Sequence, residues 1–457
     1  MYLGTPVVFS LGILSAWFGV RRTSFSSFFI ADRAVGTFAA SLSLAVCWIW
    51  VFALIVGPQQ AYQGGIGPLA WFVGANTAAM LVFATLFSRL RAKFSGEWNT
   101  FTEFIRARFG AGMLSVYTLG ISGMMTYAVW AQLTGALALL AYATGADKSV
   151  LMAAIAVLML VIAMPRGVQS VFSADMVKAL MIGAVLGIAV IVFGNADGLQ
   201  GLWEGSRGIS GTGPAFLSWS LLRDFGIPVT ISLLSGIVID QQMWQRSLSL
   251  RAKAARVAPW IAAAVFFVLI AGIGALGLAA SYLQVQVGDP QLAGFAVVES
   301  ILPVGAKVFA FMIAAALLAT GASALNAVSS AWAVDALRWW KPDSGERSMI
   351  RASRAVMLII LLISVLIAFA GVTLVQMLLF IGTFRGALFF PTILALFTRG
   401  GEASRPFVGA ILGAMLVGPV VAYFTTVFTA GILVLSVTAA LCAAEWLRAR
   451  KTASVRP

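Results

Sequence analysis

Thirteen apolar stretches, each near the length that crosses a bilayer as a helix, run through this chain with short polar links between them. They lie near 3–20, 34–60, 66–88, 111–143, 149–164, 170–194, 225–245, 257–283, 303–337, 353–371, 374–398, 406–424 and 427–447. In hydrocarbon every backbone N–H and C=O must be satisfied internally, which leaves helices or a closed barrel. The alternating pattern of a barrel strand is absent. Only 10% of residues are charged and mean hydropathy is +0.98. Soluble domains are nearer a quarter charged. The fold class is therefore an all-α membrane protein with about 13 transmembrane helices.

A net charge of +14 would suggest nucleic acid in a soluble protein, but its placement argues otherwise. With the N-terminus outside, alternate links collect most of the 30 Lys and Arg, from Arg21, Arg22 and Arg33 to Arg246, Arg251, Lys253 and Arg256 and the tail after Arg448. Only Lys148, Arg207, Arg223 and Lys307 fall on the other side. The positive-inside rule then expects the chain in the inner or plasma membrane, N-terminus outside and C-terminus cytoplasmic. The expected partners are membrane lipid and a small-molecule solute, and no nucleic acid.

The first stretch has neither a basic n-region nor an A-x-A-like cleavage site and reads as a helix, not a signal peptide. Cys47 and Cys442 are far apart in separate stretches, and histidine is absent. No disulfide or zinc framework follows, and no cofactor is expected. The links are short, the longest being 195–224, so one transmembrane domain is expected over 1–457. No G-x-x-x-x-G-K-[ST] occurs, so ATP hydrolysis by a P-loop is not expected, nor any other enzyme activity. The short tail after the last stretch argues against a fused signalling module, leaving a solute sensor without transport as the rival of another class.

Two stretches read as broken. "SLSLAVCWIWVFALIVGPQQAY" (41–62) ends in Gly57-Pro58, and "FGIPVTISLLSGIVIDQQMWQR" (225–246) carries Gly226, Pro228 and Gly236 before Asp240, Gln241 and Gln242. Interrupted helices at matching places in two halves point to an inverted-repeat transporter with its site at the breaks. The halves expected are 34–194 and 225–398, with an extra N-terminal helix and link at 1–33 and two further helices and a tail at 399–457.

"FFIADRAVGTFAASLSL" (28–44), "PRGVQSVFSADMVKAL" (165–180) and "LLATGASALNAVSSAWAVDALRW" (317–339) together resemble the sodium:solute symporter family. The resemblance implies the LeuT-like fold, two inverted repeats of five helices with solute and cation near the midplane, and H⁺ or Na⁺ as coupling ion. Within the family, Trp48-x-Trp50, "AYQGGIGP" (61–68), "FTEFIRARFG" (101–110), "VIDQQMWQ" (238–245) and "ATGASALNAVSS" (319–330) are similar to the urea transporters of fungi and plants. That likeness implies a urea-like amide as solute.

Carried over residue by residue, the family's sodium site places backbone carbonyls at Ala45, Trp48 and Ala316 and hydroxyl positions at Ala319 and Thr320. Thr320 supplies its oxygen and Ala319 does not, so a sodium ion would lose a ligand. Asp175 and Lys178 stand in the next-door span, where ionisable residues are functional hypotheses by default. Eleven residues from Gly167, at about 1.5 Å each, carry Lys178 about 16 Å into the membrane, with Asp175 one turn shallower on the same face. The expectation is that the Lys178 ammonium replaces sodium, with Asp175 as its partner, so that protons are favoured over sodium. The plainer alternative is an intrahelical pair that hides two charges from lipid.

For the solute pocket the expected residues are Cys47, Trp50, Phe52, Asp240 and Gln241 at the breaks, with Trp71, Tyr127 and Trp130 as aromatic walls. Most of the 14 Trp and 32 Phe will instead pack helices or meet lipid, so these walls are the weaker part of the set. Arg385 is the second cation inside a stretch. Facing the cavity it would hold a carboxylate bidentately, and facing elsewhere it would pair with an acid or reach for the interface. The sequence thus expects a symporter of a small polar organic solute, with a sodium-coupled monocarboxylate or amino-acid symporter as the alternative.

Overall fold

A computed structural model of the chain describes residues 31–93, 100–164, 168–211, 216–336, 345–369, 371–397 and 402–454. The helix expected at 3–20, and Arg166 with Gly167, lie outside the described residues. The α-helices of the described residues start with α1 (Thr37–Cys47) and α2 (Gly57–Gly64), followed by α3 (Ile66–Lys93), α4 (Phe101–Phe109), α5 (Ala111–Thr144), α6 (Lys148–Ala163) and α7 (Val168–Asn195). A second series follows: α8 (Ile227–Ile239), α9 (Gln241–Leu248), α10 (Ala252–Tyr282), α11 (Ala293–Ile301), α12 (Pro303–Ser330), α13 (Glu346–Ala368), α14 (Leu374–Arg385) and α15 (Phe389–Phe397). Two more helices, α16 (Arg405–Phe424) and α17 (Val427–Ser454), end the described chain.

Among the described residues ten helices are long and apolar enough to cross a membrane, and the bent pair Thr37–Cys47 and Phe52–Gly64 makes an eleventh. Each series of five spans starts with a broken one, α1–α2 in the first and α8–α9 in the second, which is the LeuT-like arrangement. Burial sorts the spans: 72% of the apolar window in Pro303–Ala333 is inside the protein, against 28% in Glu346–Ala368, Arg405–Phe424 and Val427–Arg450. The central spans therefore pack on each other, and those three leave most of their apolar surface on the outside of the protein.

The breaks do not fall where Gly and Pro suggested. The first is at Trp48–Val51, with a 67° bend, and Gly57-Pro58 sits in the helical turn beyond it. Pro58 and Pro228 each come just after a π-helical turn, Phe52–Val56 and Leu222–Gly226, in helix that runs on through them. Gly226 and Gly236 belong to continuous helix, and the second break is at Asp240, whose backbone is extended (φ −69°, ψ 103°). The glycines serve contact instead: a Cβ on Gly226 would lie 2.9 Å from the Trp71 indole.

What holds the breaks open is tertiary. The freed Val51 N–H donates to Gln132 Oε1 of α5 at 3.0 Å. At the second break Asp240 Oδ1 accepts from the N–H groups of Gln242 (2.7 Å) and Met243 (3.2 Å), capping α9. The entry to the first broken span and the exit of the second are tied directly, Val35 N to Ser249 O at 3.2 Å and Arg251 N to Val35 O at 3.0 Å.

Candidate functional site

At the break in the first span a cation meets two backbone carbonyls, that of Ile49 and that of Val46, which also accepts the Ile49 N–H at 3.1 Å. Lys178, 1% exposed on α7, donates to Val46 O, to Ile49 O at 2.8 Å and to Thr320 Oγ1 of α12 at 2.6 Å. Thr320 commits its own proton to Ala316 O at 2.9 Å, so its lone pairs face the amine. An ammonium has three N–H bonds and here meets three acceptors, one for each. A neutral amine would turn its lone pair on one of those oxygens.

Two sequence expectations change here. The carbonyls are those of Val46 and Ile49, one residue on from Ala45 and Trp48. The Lys178 amine makes no hydrogen bond to Ala45 O or Trp48 O, and the Trp48 carbonyl accepts the Trp50 N–H at 3.0 Å. Nor is Asp175 the partner of Lys178. Its carboxylate is taken by Arg246, with Nε at 2.8 Å and Nη2 at 3.1 Å, and by the Ser43 hydroxyl. Arg246 also reaches Ser43 Oγ at 3.1 Å, Ser323 Oγ at 2.9 Å and Gln242 O at 3.2 Å. One guanidinium thus joins α1, α7, α9 and α12 one turn from the lysine. By its place in the sequence Arg246 belongs with the link charges, but it is 1% exposed. Two signals point to it: an acid inside an apolar span needs a cation, and Arg246 follows the break by only six residues.

On the other side of the first break a small cavity is lined by Trp48, Trp50, Phe52, Ala53, Asn76, Leu233, Leu378 and Arg385. Trp48 lines it with its side chain, donating Nε1 to Asn76 Oδ1 at 3.1 Å. Trp50, Phe52 and Tyr127 form one aromatic cluster, with Tyr127 stacked on Phe52 at 5.8 Å. Trp130 stands behind Tyr127, edge-on at 6.4 Å, and is not part of the lining. Trp71 lies elsewhere, its Nε1 donating to Phe216 O at 2.7 Å. Cys47 is buried at the end of α1 without lining the cavity. Asp240 and Gln241 are also buried outside the lining; Asp240 Oδ2 and both amide atoms of Gln241 have no hydrogen-bond partner. Ala319 is partly buried beside Thr320 and adds no oxygen. Asn76, Leu233 and Leu378 are lining residues the sequence analysis missed, because nothing local separates them from ordinary helix packing.

Arg385 fills the end of the cavity. Its Nη2 donates to Ser232 Oγ at 2.6 Å, Nη1 approaches Met124 Sδ at 3.3 Å, and Nε has no partner. Its guanidinium lies against Gly236 of α8, where a Cβ would be 2.6 Å from Cζ. Gly236→Ala is therefore expected to displace Arg385 and cost about 1–3 kcal/mol as overpacking. Thermal unfolding in detergent measures this, and an unchanged melting temperature would show that the guanidinium has room to move.

A fold of two five-helix repeats with broken first members, and a lysine ammonium seated on carbonyls of one break, defines the LeuT-like fold. A profile of the sodium:solute symporter family matches residues 28–413, and the chain belongs to that family. It is accordingly an integral membrane protein. The rice (Oryza sativa subsp. japonica) urea-proton symporter DUR3 is 22% identical over 438 residues. That match covers 87% of this chain and 60% of the rice protein, so the chain spans less than two thirds of that relative's length. Among solved structures, a Na⁺-coupled sialic acid symporter superposes with a TM-score of 0.78 at 19% identity, covering 96% of this chain and 95% of the other. Mhp1, a nucleobase-cation-symport-1 family transporter, superposes with a TM-score of 0.60 at 15% identity, covering 93% and 95%. These likenesses establish the fold.

Proposed function

We propose that this protein is a proton-coupled symporter of a small organic solute, in which the protonated side chain of Lys178 takes the place of a bound metal cation. The observation that carries this is the three-oxygen seat of the Lys178 ammonium at the first break. Of the two buried cations beside that break, Arg246 stays charged under all relevant conditions, while a lysine can release its proton. Only Lys178 can therefore load and unload within a transport cycle. The ionisable groups around it are Asp175, Arg246 and Cys47, and the acid among them is already paired. The rice relative's name, a urea-proton symporter, supports the same choice of ion. In this reading the two repeats rock about the shared site, and the proton on Lys178 holds the α1 break to α7 and α12 until it leaves.

Equilibrium binding of radioactive sodium to the purified, folded protein tests this. No saturable binding is expected. Saturable sodium binding that Thr320→Ala weakens would place a metal ion at the α1 break and overturn the reading.

A further inference from the structure

Arg385 is a buried full charge that no carboxylate touches among the described residues. It is 2% exposed, and among the described residues its polar neighbours are one hydroxyl and one thioether. Arg223–Asp224, Arg246–Asp175 and Arg448–Glu445 form ion pairs, and Arg385 is in none of these. Ser232 cannot offer more than a lone pair, because its own proton goes to Leu378 O. Charges removed from water are normally paired and hydrogen-bonded, since leaving one bare costs several kcal/mol.

Asp240 is a buried acid near enough for its charge to act on Arg385, though no ion pair joins the two. The orphaned groups beside the guanidinium in the cavity are donors. Trp50 Nε1 and the Tyr127 hydroxyl are buried and lack a partner, as does Arg385 Nε. The Arg385 Cζ lies 5.9 Å from the Tyr127 ring centroid, and the Trp50 and Tyr127 rings are 6.2 Å apart. All three orphaned groups can donate a hydrogen bond, and two of them, the indole and the guanidinium, cannot accept one. A site of this kind asks for a ligand rich in acceptors and negative in charge. A carboxylate meets both demands, with two oxygens for the planar fork of the guanidinium. A neutral diamide brings mostly N–H donors and would leave Arg385 unpaired. The walls from Trp48, Trp50, Phe52 and Leu233 then suit a small apolar remainder.

We infer that the solute is a small monocarboxylate, its carboxylate held by Arg385 and the Trp50 indole in the cavity beside the first break. This deepens the symporter reading and rests on it for the cavity being the solute site, while the choice of coupling ion is independent of it.

The test compares acid and amide of the same shape. Purified protein is titrated with acetate, propionate, lactate, pyruvate and benzoate, with the amide of each, and with urea, and melting temperature and tryptophan fluorescence are followed. At least one carboxylate is expected to stabilise the protein saturably while its amide does not. Arg385→Gln is expected to weaken that carboxylate at least 100-fold. Trp50→Phe, which removes one donor and leaves the guanidinium, is expected to weaken it several-fold and keeps the test open where Arg385→Gln fails to fold. Stabilisation by urea or an amide equal to or above the matching acid would overturn the inference. So would the absence of a response to any of the five acids, or affinities unchanged in both variants. Sodium binding reads the coupling proposal separately, so either idea can fail alone.

Discussion

Replacing Arg246 with methionine is expected to lower the free energy of unfolding by about 3–5 kcal/mol, the usual cost of leaving a buried charge without its partner. Arg246 and Asp175 are 1% and 3% exposed at their side chains, so water cannot take over the lost contacts. The loss also reaches further than one ion pair. Arg246 is the shared partner of Ser43, Asp175 and Ser323, so methionine strands oxygens on α1, α7 and α12 together. Asp175→Asn is expected to cost less than Arg246→Met, because the amide retains an acceptor for the guanidinium. The double variant Arg246→Met with Asp175→Asn is expected to recover part of the loss, since no bare carboxylate remains. Chemical unfolding of the four proteins in detergent closes the double-mutant cycle. Equal stabilities, or losses that simply add, would mean that the guanidinium and carboxylate do not act as a unit.

Hydropathy made the helices legible, because a span must be apolar along its length whatever it packs against. It could not place the breaks. Gly57-Pro58 and Gly236 are local signals, but Pro58 follows a π-helical turn within continuous helix and Gly236 makes room for Arg385. The actual breaks depend on groups far along the chain, Gln132 for the Val51 N–H and Lys178 for the carbonyls of Val46 and Ile49. The same distance in sequence explains Arg246, whose half-helix sits at the edge of an apolar run and turns inward only because Asp175 waits there. Lys178 and Arg385 were visible as charges inside spans, a rare and expensive placement. Their partners were not, since three oxygens from two other helices and one unmatched guanidinium are facts of packing. The solute cavity shows the same division: Trp50 and Phe52 could be placed by the break, whereas Asn76 and Leu378 line it through helix geometry alone.

Removing the amine and restoring the missing hydroxyl is expected to turn a protein without a sodium site into one that binds the ion. Lys178→Ala frees Val46 O, Ile49 O and Thr320 Oγ1, all of which the ammonium now occupies. Three oxygens are few for a hard cation, which prefers a fuller oxygen shell. Ala319→Ser places a hydroxyl on the position before Thr320, where the family pattern expects one. Saturable radioactive sodium binding is therefore expected in the double variant, with weaker binding in Lys178→Ala and none in Ala319→Ser alone, where the ammonium still fills the seat. Thr320→Ala added to the double variant is expected to weaken binding again, because Thr320 belongs to the same oxygen set. The order of the variants separates the explanations. Sodium binding by Ala319→Ser with Lys178 intact would mean that the lysine and the ion do not compete. An absence of binding in a well-folded double variant would mean that the oxygens at the α1 break suit an ammonium and not a metal ion. The substitution of lysine for sodium would then have no basis in this geometry.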